Sequence, residues 1–172
     1  MTNQEIQSHY LELCITPSDI NEHLPKLREY SDKCGHITEI GVRSAVSLYA
    51  FLSSNASKVI AYDIVEAYRP PEVDKLTFIC ADVLSIDIEK TDFLFIDTLH
   101  TYNQLTLELR RHAKNVKKYI GFHDTFMFGK NGEDGSSPGL LNAINEFLAL
   151  NPEWQREYHS DKNNGLTIIK RK

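Results

Sequence analysis

The stretch Asp92-Phe93-Leu94-Phe95-Ile96-Asp97 is an unbroken apolar run between two acids, and Thr98-Leu99-His100 follows it directly. A strand whose two alternating sets of side chains both avoid water reads this way, and such strands belong to parallel sheets covered by helices on both faces. Downstream, Tyr102, Leu105, Leu109, Ala113 and Val116 recur at steps of three and four. That spacing predicts a helix over 101–116, with Arg111, Lys117 and Lys118 as cations at its C-terminal end. Tyr119-Ile120-Gly121-Phe122-His123 predicts the next strand. Upstream, residues 36–42, 58–63 and 76–80 are three further short β-prone runs. Between the first two, Ala45, Leu48, Tyr49 and Leu52 share helical spacing over 44–52. Strands alternating with helices predict a doubly wound α/β sheet.

The flanks extend this plan. In the first 35 residues, a polar and helical segment packed on the same domain, Thr16-Pro17-Ser18-Asp19 predicts a helix start capped by Ser18 or Thr16. Leu24, Leu27 and Tyr30 would share one face of that helix, and Lys33-Cys34-Gly35 would stop it. After the fifth strand comes a glycine-rich loop from Phe128 to Gly139, a candidate mobile lid, and then a helix over 140–150 ended by Asn151-Pro152. Two final β-prone segments, 154–159 and 166–171, flank the turn-rich Asp161-Lys162-Asn163-Asn164-Gly165 and predict a closing hairpin. Tyr68-Arg69-Pro70-Pro71 reads as a stiff extended linker.

Composition narrows the function classes. The 172 residues suffice for one domain, and 41% hydrophobic content builds its core without staples. With 19 Lys and Arg against 24 Asp and Glu, the net charge of −5 argues against wrapping nucleic acid, where phosphate neutralisation supplies much of the affinity. Cys14, Cys34 and Cys80 are an odd number with no C-x-x-C pair, so they read as structural, with Cys80 buried behind its strand. Without a signal-peptide pattern or an apolar run of membrane-spanning length, a cytoplasmic location is expected, with no membrane partner.

Ligands of open parallel sheets bind outside the carboxyl ends of the strands. Those ends read Glu39-Ile40-Gly41-Val42-Arg43-Ser44, then Asp63, Asp82, Asp97-Thr98-Leu99-His100 and His123-Asp124-Thr125. A lone aspartate after a strand is most often a helix cap or a solvated turn. Acidic or imidazole groups at the end of every one of the five strands are a pattern.

These residues resemble the class I S-adenosylmethionine-dependent methyltransferases. Glu39 to Ser47 followed by Asp63 and Asp82 carries the general likeness. Asp97-Thr98-Leu99-His100-Thr101-Tyr102 with His123-Asp124 is similar to a branch with D-x-x-H-x-Y and H-D motifs that includes small-molecule and sugar O-methyltransferases. The likeness spans 36–172 and implies a Rossmann-like, mostly parallel seven-stranded sheet of order 3-2-1-4-5-7-6 with an antiparallel C-terminal hairpin. It implies S-adenosyl-L-methionine as cofactor, contacted by Glu39, Gly41, Val42, Arg43, Ser44, Ser47, Asp63, Ile64, Asp82, Val83 and Asp97. Glu39 would meet its ammonium, Asp63 its ribose hydroxyls, Asp82 and the Val83 amide its adenine, and Asp97 the transferred methyl. A fuller family loop has glycines where Arg43 and Ala45 stand here.

Asp97, His100, His123 and Asp124 come from neighbouring strand ends, and three readings stay open. Asp97, His123 and Asp124 would ligate a divalent cation, magnesium or manganese, as in related metal-dependent O-methyltransferases. Alternatively, His100 or His123 acts as general base on an acceptor hydroxyl. In the third, His100 caps the following helix and His123 is a satisfied core histidine. The leading expectation is O-methylation of a small-molecule or sugar hydroxyl. The alternatives are a non-catalytic cofactor-binding module and an NAD-dependent oxidoreductase, the latter opposed by the missing G-x-G-x-x-G. A pocket open on one side would suit a homodimer.

Overall fold

The computed structural model describes residues 1–66, 70–136 and 138–172, so Tyr68 and Arg69 of the expected linker lie outside the described residues. Helices α1 (Asn3–Ile15) and α2 (Leu24–Ser31) precede β1 (His36–Ile40), α3 (Val46–Leu52), β2 (Lys58–Asp63), β3 (Leu76–Cys80) and β4 (Thr91–Ile96). Then follow α4 (Tyr102–His112), β5 (Val116–His123), α5 (Leu140–Leu150), β6 (Trp154–Ser160) and β7 (Leu166–Arg171). The strands form one sheet of order β3-β2-β1-β4-β5-β7-β6, the order the resemblance implies. The first five run parallel, and β7 pairs antiparallel with both β5 and β6.

The central strands divide their side chains as their apolar runs require. Phe93 and Phe95 face one layer with Ile37, Val59 and Ala61, under α1, α2 and α3. Leu94 and Ile96 face the other with Ile60, Tyr62, Ile120 and Phe122, under α4 and α5. All of these are at most 4% exposed, so the sheet is dry on both faces and neither set can turn polar cheaply. Phe51 of α3 meets Phe95 edge-on at 5.4 Å and Phe93 at 6.0 Å. Gly121 makes room beside them: a Cβ there would come within 3.0 Å of the Phe93 ring.

Several elements start or stop elsewhere than the sequence suggests. The N-terminal segment is helical, but its second helix begins at Leu24 rather than at 16–19. Thr2 and Glu5 form a reciprocal cap that starts α1 at Asn3, leaving Thr16 as its C-terminal cap. Ser18 Oγ accepts the amides of Ile20 and Asn21, which starts a 3₁₀ turn over Asn21–His23 and delays α2 until Leu24. Leu24, Leu27 and Tyr30 do lie buried together on α2. Lys117 and Lys118 fall in β5, because α4 tightens into a 3₁₀ turn at Ala113–Asn115. Cys80 is exposed rather than buried, since β3 is the edge of the sheet. No helix among the described residues is long and apolar enough to cross a membrane.

Candidate active site

The strand order reverses between β1 and β4, where crossovers leave in opposite directions and a crevice opens at the carboxyl ends. Gly41 sits in that crevice at φ +85°, and a Cβ on it would lie 2.0 Å from the Asp97 carbonyl oxygen. Only glycine fits there. Arg43 and Ala45 are also left-handed, at φ 45° and 62°, so the loop keeps the shape of a glycine-rich turn without glycine at two of three positions. Asp63 braces it: Oδ2 accepts the amides of Val42 and Arg43 at 2.8 and 2.9 Å, and Oδ1 accepts that of Val65 at 3.1 Å.

A cavity of about 440 Å³ lies against this loop, lined among others by Gly41, Asp63, Ile64, Asp82, Val83 and Asp97. Arg43 also lines it, with its guanidinium donating to Asp19 Oδ2 at 2.6 Å. Asp82 Oδ1 accepts the Leu84 amide, which turns the chain under the cavity. Ser44 is exposed, and Val42 is buried under the loop. Glu39 and Ser47 are buried behind it, with Ser47 Oγ donating to Glu39 Oε1 at 2.5 Å. Glu39 Oε2 has no hydrogen-bond partner, and burial holds this carboxyl well above the usual carboxylate range, with the charges of Asp97 and Asp63 adding to the effect.

The second half of the site joins β4 to β5. His100 Nε2 lies 3.1 Å from Asp97 Oδ1 and 3.0 Å from Asp124 Oδ2. His123 Nδ1 faces the same two oxygens at 3.4 and 3.2 Å, and its Nε2 donates to the Asp19 carbonyl at 3.1 Å. Burial opposes charge on both rings, but hydrogen bonds to Asp124 and Asp97 outweigh it and push both up to about 10. Two carboxylates this close need positive charge between them: here imidazolium protons, elsewhere a cation. Asp97, His100 and Asp124 form a compact three-ligand group, in which His100 stands where the sequence reading named His123, whose Nδ1 faces the same two oxygens. Nor does His100 cap α4, because Thr101 Oγ accepts the Gln104 amide.

Four further residues join the site, though nothing in the sequence reading placed them there. Asp19 walls the site through its carbonyl and carboxylate. Glu133 places Oε2 2.5 Å from His100 Nδ1. Leu99, 52% exposed, lines the cavity mouth. Glu108 is fully buried and accepts from Thr98 Oγ1 and Gln104 Nε2, two residues of the cavity wall, at 2.7 and 2.8 Å. Of these only Glu108 had a legible signal, since it falls on the same helical face as Leu105 and Leu109.

No protein-family model matches the sequence, and no curated protein matches it. Solved structures do match in shape. An O-methyltransferase from Bacillus cereus in complex with SAH aligns at a TM-score of 0.65 and 15% identity, covering 99% of this chain and 90% of that one. A 1,6-didemethyltoxoflavin-N1-methyltransferase from Burkholderia thailandensis, with its acceptor and S-adenosylhomocysteine bound, aligns at 0.67 and 13%, covering 98% and 86%. The fold is that of the S-adenosylmethionine-dependent methyltransferases. An SAH-bound methyltransferase from Podospora anserina shares it at 0.55 and 15%, covering 100% and 97%. Within this methyltransferase fold the neighbours include an enzyme named for methylating nitrogen, so the acceptor atom has to be argued from the site.

Proposed function

We propose that this protein transfers a methyl group from S-adenosylmethionine to a hydroxyl oxygen of a small molecule or sugar, with a divalent cation held by Asp97, His100 and Asp124. The observation that carries the cofactor assignment is the sign of the crevice. Asp63, Asp82 and Asp97 line it, Glu39 lies behind it with an unpartnered oxygen, and the one cation among the described lining residues, Arg43, is already paired with Asp19. Such a surface suits a ligand bearing a sulfonium and an ammonium and repels the pyrophosphate of a dinucleotide, which favours the methyltransferase reading over the NAD alternative. When bound, the cofactor supplies an electrophilic methyl group next to a positive sulfur.

The chain's own part is alignment and charge. Glu39 Oε2 would take an ammonium, the remaining acceptor site of Asp63 a ribose hydroxyl, and the Asp82 turn the base. Oxygen–nitrogen separations of 3.0 and 3.1 Å are those of neighbouring ligands on a cation with bonds of about 2.1 Å, and two carboxylates with one imidazole suit manganese or iron better than magnesium. A cation there would lower the pKa of an acceptor hydroxyl. His123, charged and tied to Asp19, anchors both carboxylates rather than drawing a proton from the acceptor.

Calorimetry with S-adenosylmethionine, S-adenosylhomocysteine and NAD tests the cofactor. A tritium-labelled methyl group offered with hydroxylated acceptors, with and without manganese, tests the reaction. Binding of the first two ligands and manganese-dependent labelling of oxygen are expected. Binding without transfer to any acceptor would leave a non-catalytic module, and no binding at all would end the methyltransferase reading.

A further inference from the structure

We infer that Glu133 positions His100 for the cation, so that filling the Asp97–His100–Asp124 group and seating residues 128–136 are a single equilibrium. The inference rests on the cation reading above. The loop grips His100 in three ways. Glu133 Oε2 is 2.5 Å from Nδ1, the Glu133 amide donates to the His100 carbonyl at 3.1 Å, and the Phe128 ring stacks on the imidazole at 5.0 Å and 12°. Together these fix the plane of the ring and direct Nε2 at the two aspartates.

The chemistry of the ring makes the Glu133 contact selective. A neutral imidazole has one N–H and one lone pair. With Nδ1–H donating to Glu133, the lone pair falls on Nε2, the nitrogen beside Asp97 and Asp124, and only that tautomer can ligate a cation there. A carboxylate behind a ligating histidine also raises its basicity, and losing such a partner typically weakens metal binding by about 10- to 100-fold.

The rest of the loop is built to present that carboxylate. The Phe128 amide donates to the Asp124 carbonyl at 2.9 Å, so the loop leaves β5 directly from a proposed ligand. Gly132 accepts close passage by His100: a Cβ there would sit 3.2 Å from the His100 carbonyl oxygen. The Gly135 amide donates to the Gly132 carbonyl, and the Ser136 amide to Asp134 Oδ1, closing a small turn around Glu133. By linkage, a cation that requires the Glu133–His100 bond must strengthen the seating of the loop by the same factor.

Manganese titrated into the wild-type protein and followed by electron paramagnetic resonance tests this. Glu133→Ala should bind manganese about 10- to 100-fold more weakly than wild type. Glu133→Gln, whose amide oxygen still accepts Nδ1–H, should recover part of the loss. Asp134→Ala loosens the same turn but keeps the Glu133 carboxylate, so it should weaken manganese binding much less than Glu133→Ala does. Manganese should slow hydrogen exchange of the Glu133 amide in wild type and not in Glu133→Ala. Unchanged affinity in Glu133→Ala, or an equal loss in Asp134→Ala, overturns the positioning role. A wild type that binds no manganese overturns the cation reading itself, and with it the inference.

Discussion

Glu108→Gln offers a stability measurement whose size and sign follow from one buried carboxyl. Glu108 is 0% exposed, and one of its oxygens, Oε2, has no hydrogen-bond partner. Burial raises the group, hydrogen bonds from Thr98 and Gln104 offset part of that, and the carboxyl ends at about 7 instead of 4.5. A folded-state value above the unfolded one means that the native protein holds the proton more tightly. Stability from this group is therefore complete below pH 4.5 and is lost as pH rises to about 7. At 1.36 kcal/mol per pH unit the loss amounts to about 3 kcal/mol above neutrality, or roughly 6–12 °C in melting temperature for a chain of this length. Glutamine keeps an acceptor for Thr98 and Gln104 and cannot ionise. Urea unfolding of both proteins from pH 4.5 to 8 should show the variant gaining about 3 kcal/mol relative to wild type across that range. Parallel stability curves would refute the argument, because they would mean that Glu108 titrates alike in the folded and unfolded chains.

Other outcomes follow from the crevice and the core. Gly41→Ala forces a methyl into the Asp97 carbonyl and a side chain into φ +85°, so a loss above about 2 kcal/mol in urea unfolding and abolished S-adenosylmethionine binding are expected. Ala45→Gly relieves a left-handed alanine, so it should match or exceed wild-type stability by up to about 1 kcal/mol, and a clear loss would contradict the strain argument. Burial holds the Glu39 carboxyl well above the usual carboxylate range, and an ammonium beside Oε2 would pull it back toward the carboxylate. Calorimetric enthalpies of S-adenosylmethionine binding should therefore differ between Tris and phosphate at neutral pH, and the difference should vanish in Glu39→Gln. Phe95→Ala, deep between Phe51 and the sheet, should cost about 3–5 kcal/mol by thermal or chemical unfolding.

The sheet was legible because its signals are local. The unbroken apolar run within 92–97, acids at strand ends and the spacing of Leu105 and Leu109 each follow from which faces must stay dry, and together they give the strands of the parallel half. The turn at Asn163-Asn164-Gly165 was equally open to reading, since all three residues adopt φ between 45° and 99°, where asparagine and glycine are tolerated best. Less visible was anything depending on which segments meet across the chain. Ser18 looks like a helix cap, and nothing local says that its turn defers α2 so that Asp19 can reach Arg43 and His123. Glu133 sits in a loop whose composition suggests only freedom. How His100 and His123 meet the two aspartates turns on ring orientation, which Asp19 and Glu133 set from segments 104 and 33 residues away.

The segments around the candidate site are tied to one another by several hydrogen bonds. Asn163 receives the Glu22 amide and donates to the Ser18 carbonyl, His23 meets the Lys162 carbonyl, and the amides of Phe126 and Met127 both donate to the Asn164 carbonyl. The N-terminal turn, the loop after β5 and the tip of the β6–β7 hairpin thus form an interlocked rim on a stable base. Such a rim couples its segments: a change that moves the backbone of one breaks bonds held by the others, while the pairing of β1 to β4 beneath keeps its register. Lineages that acquire a new acceptor should therefore change all three segments together and leave the crevice residues in place.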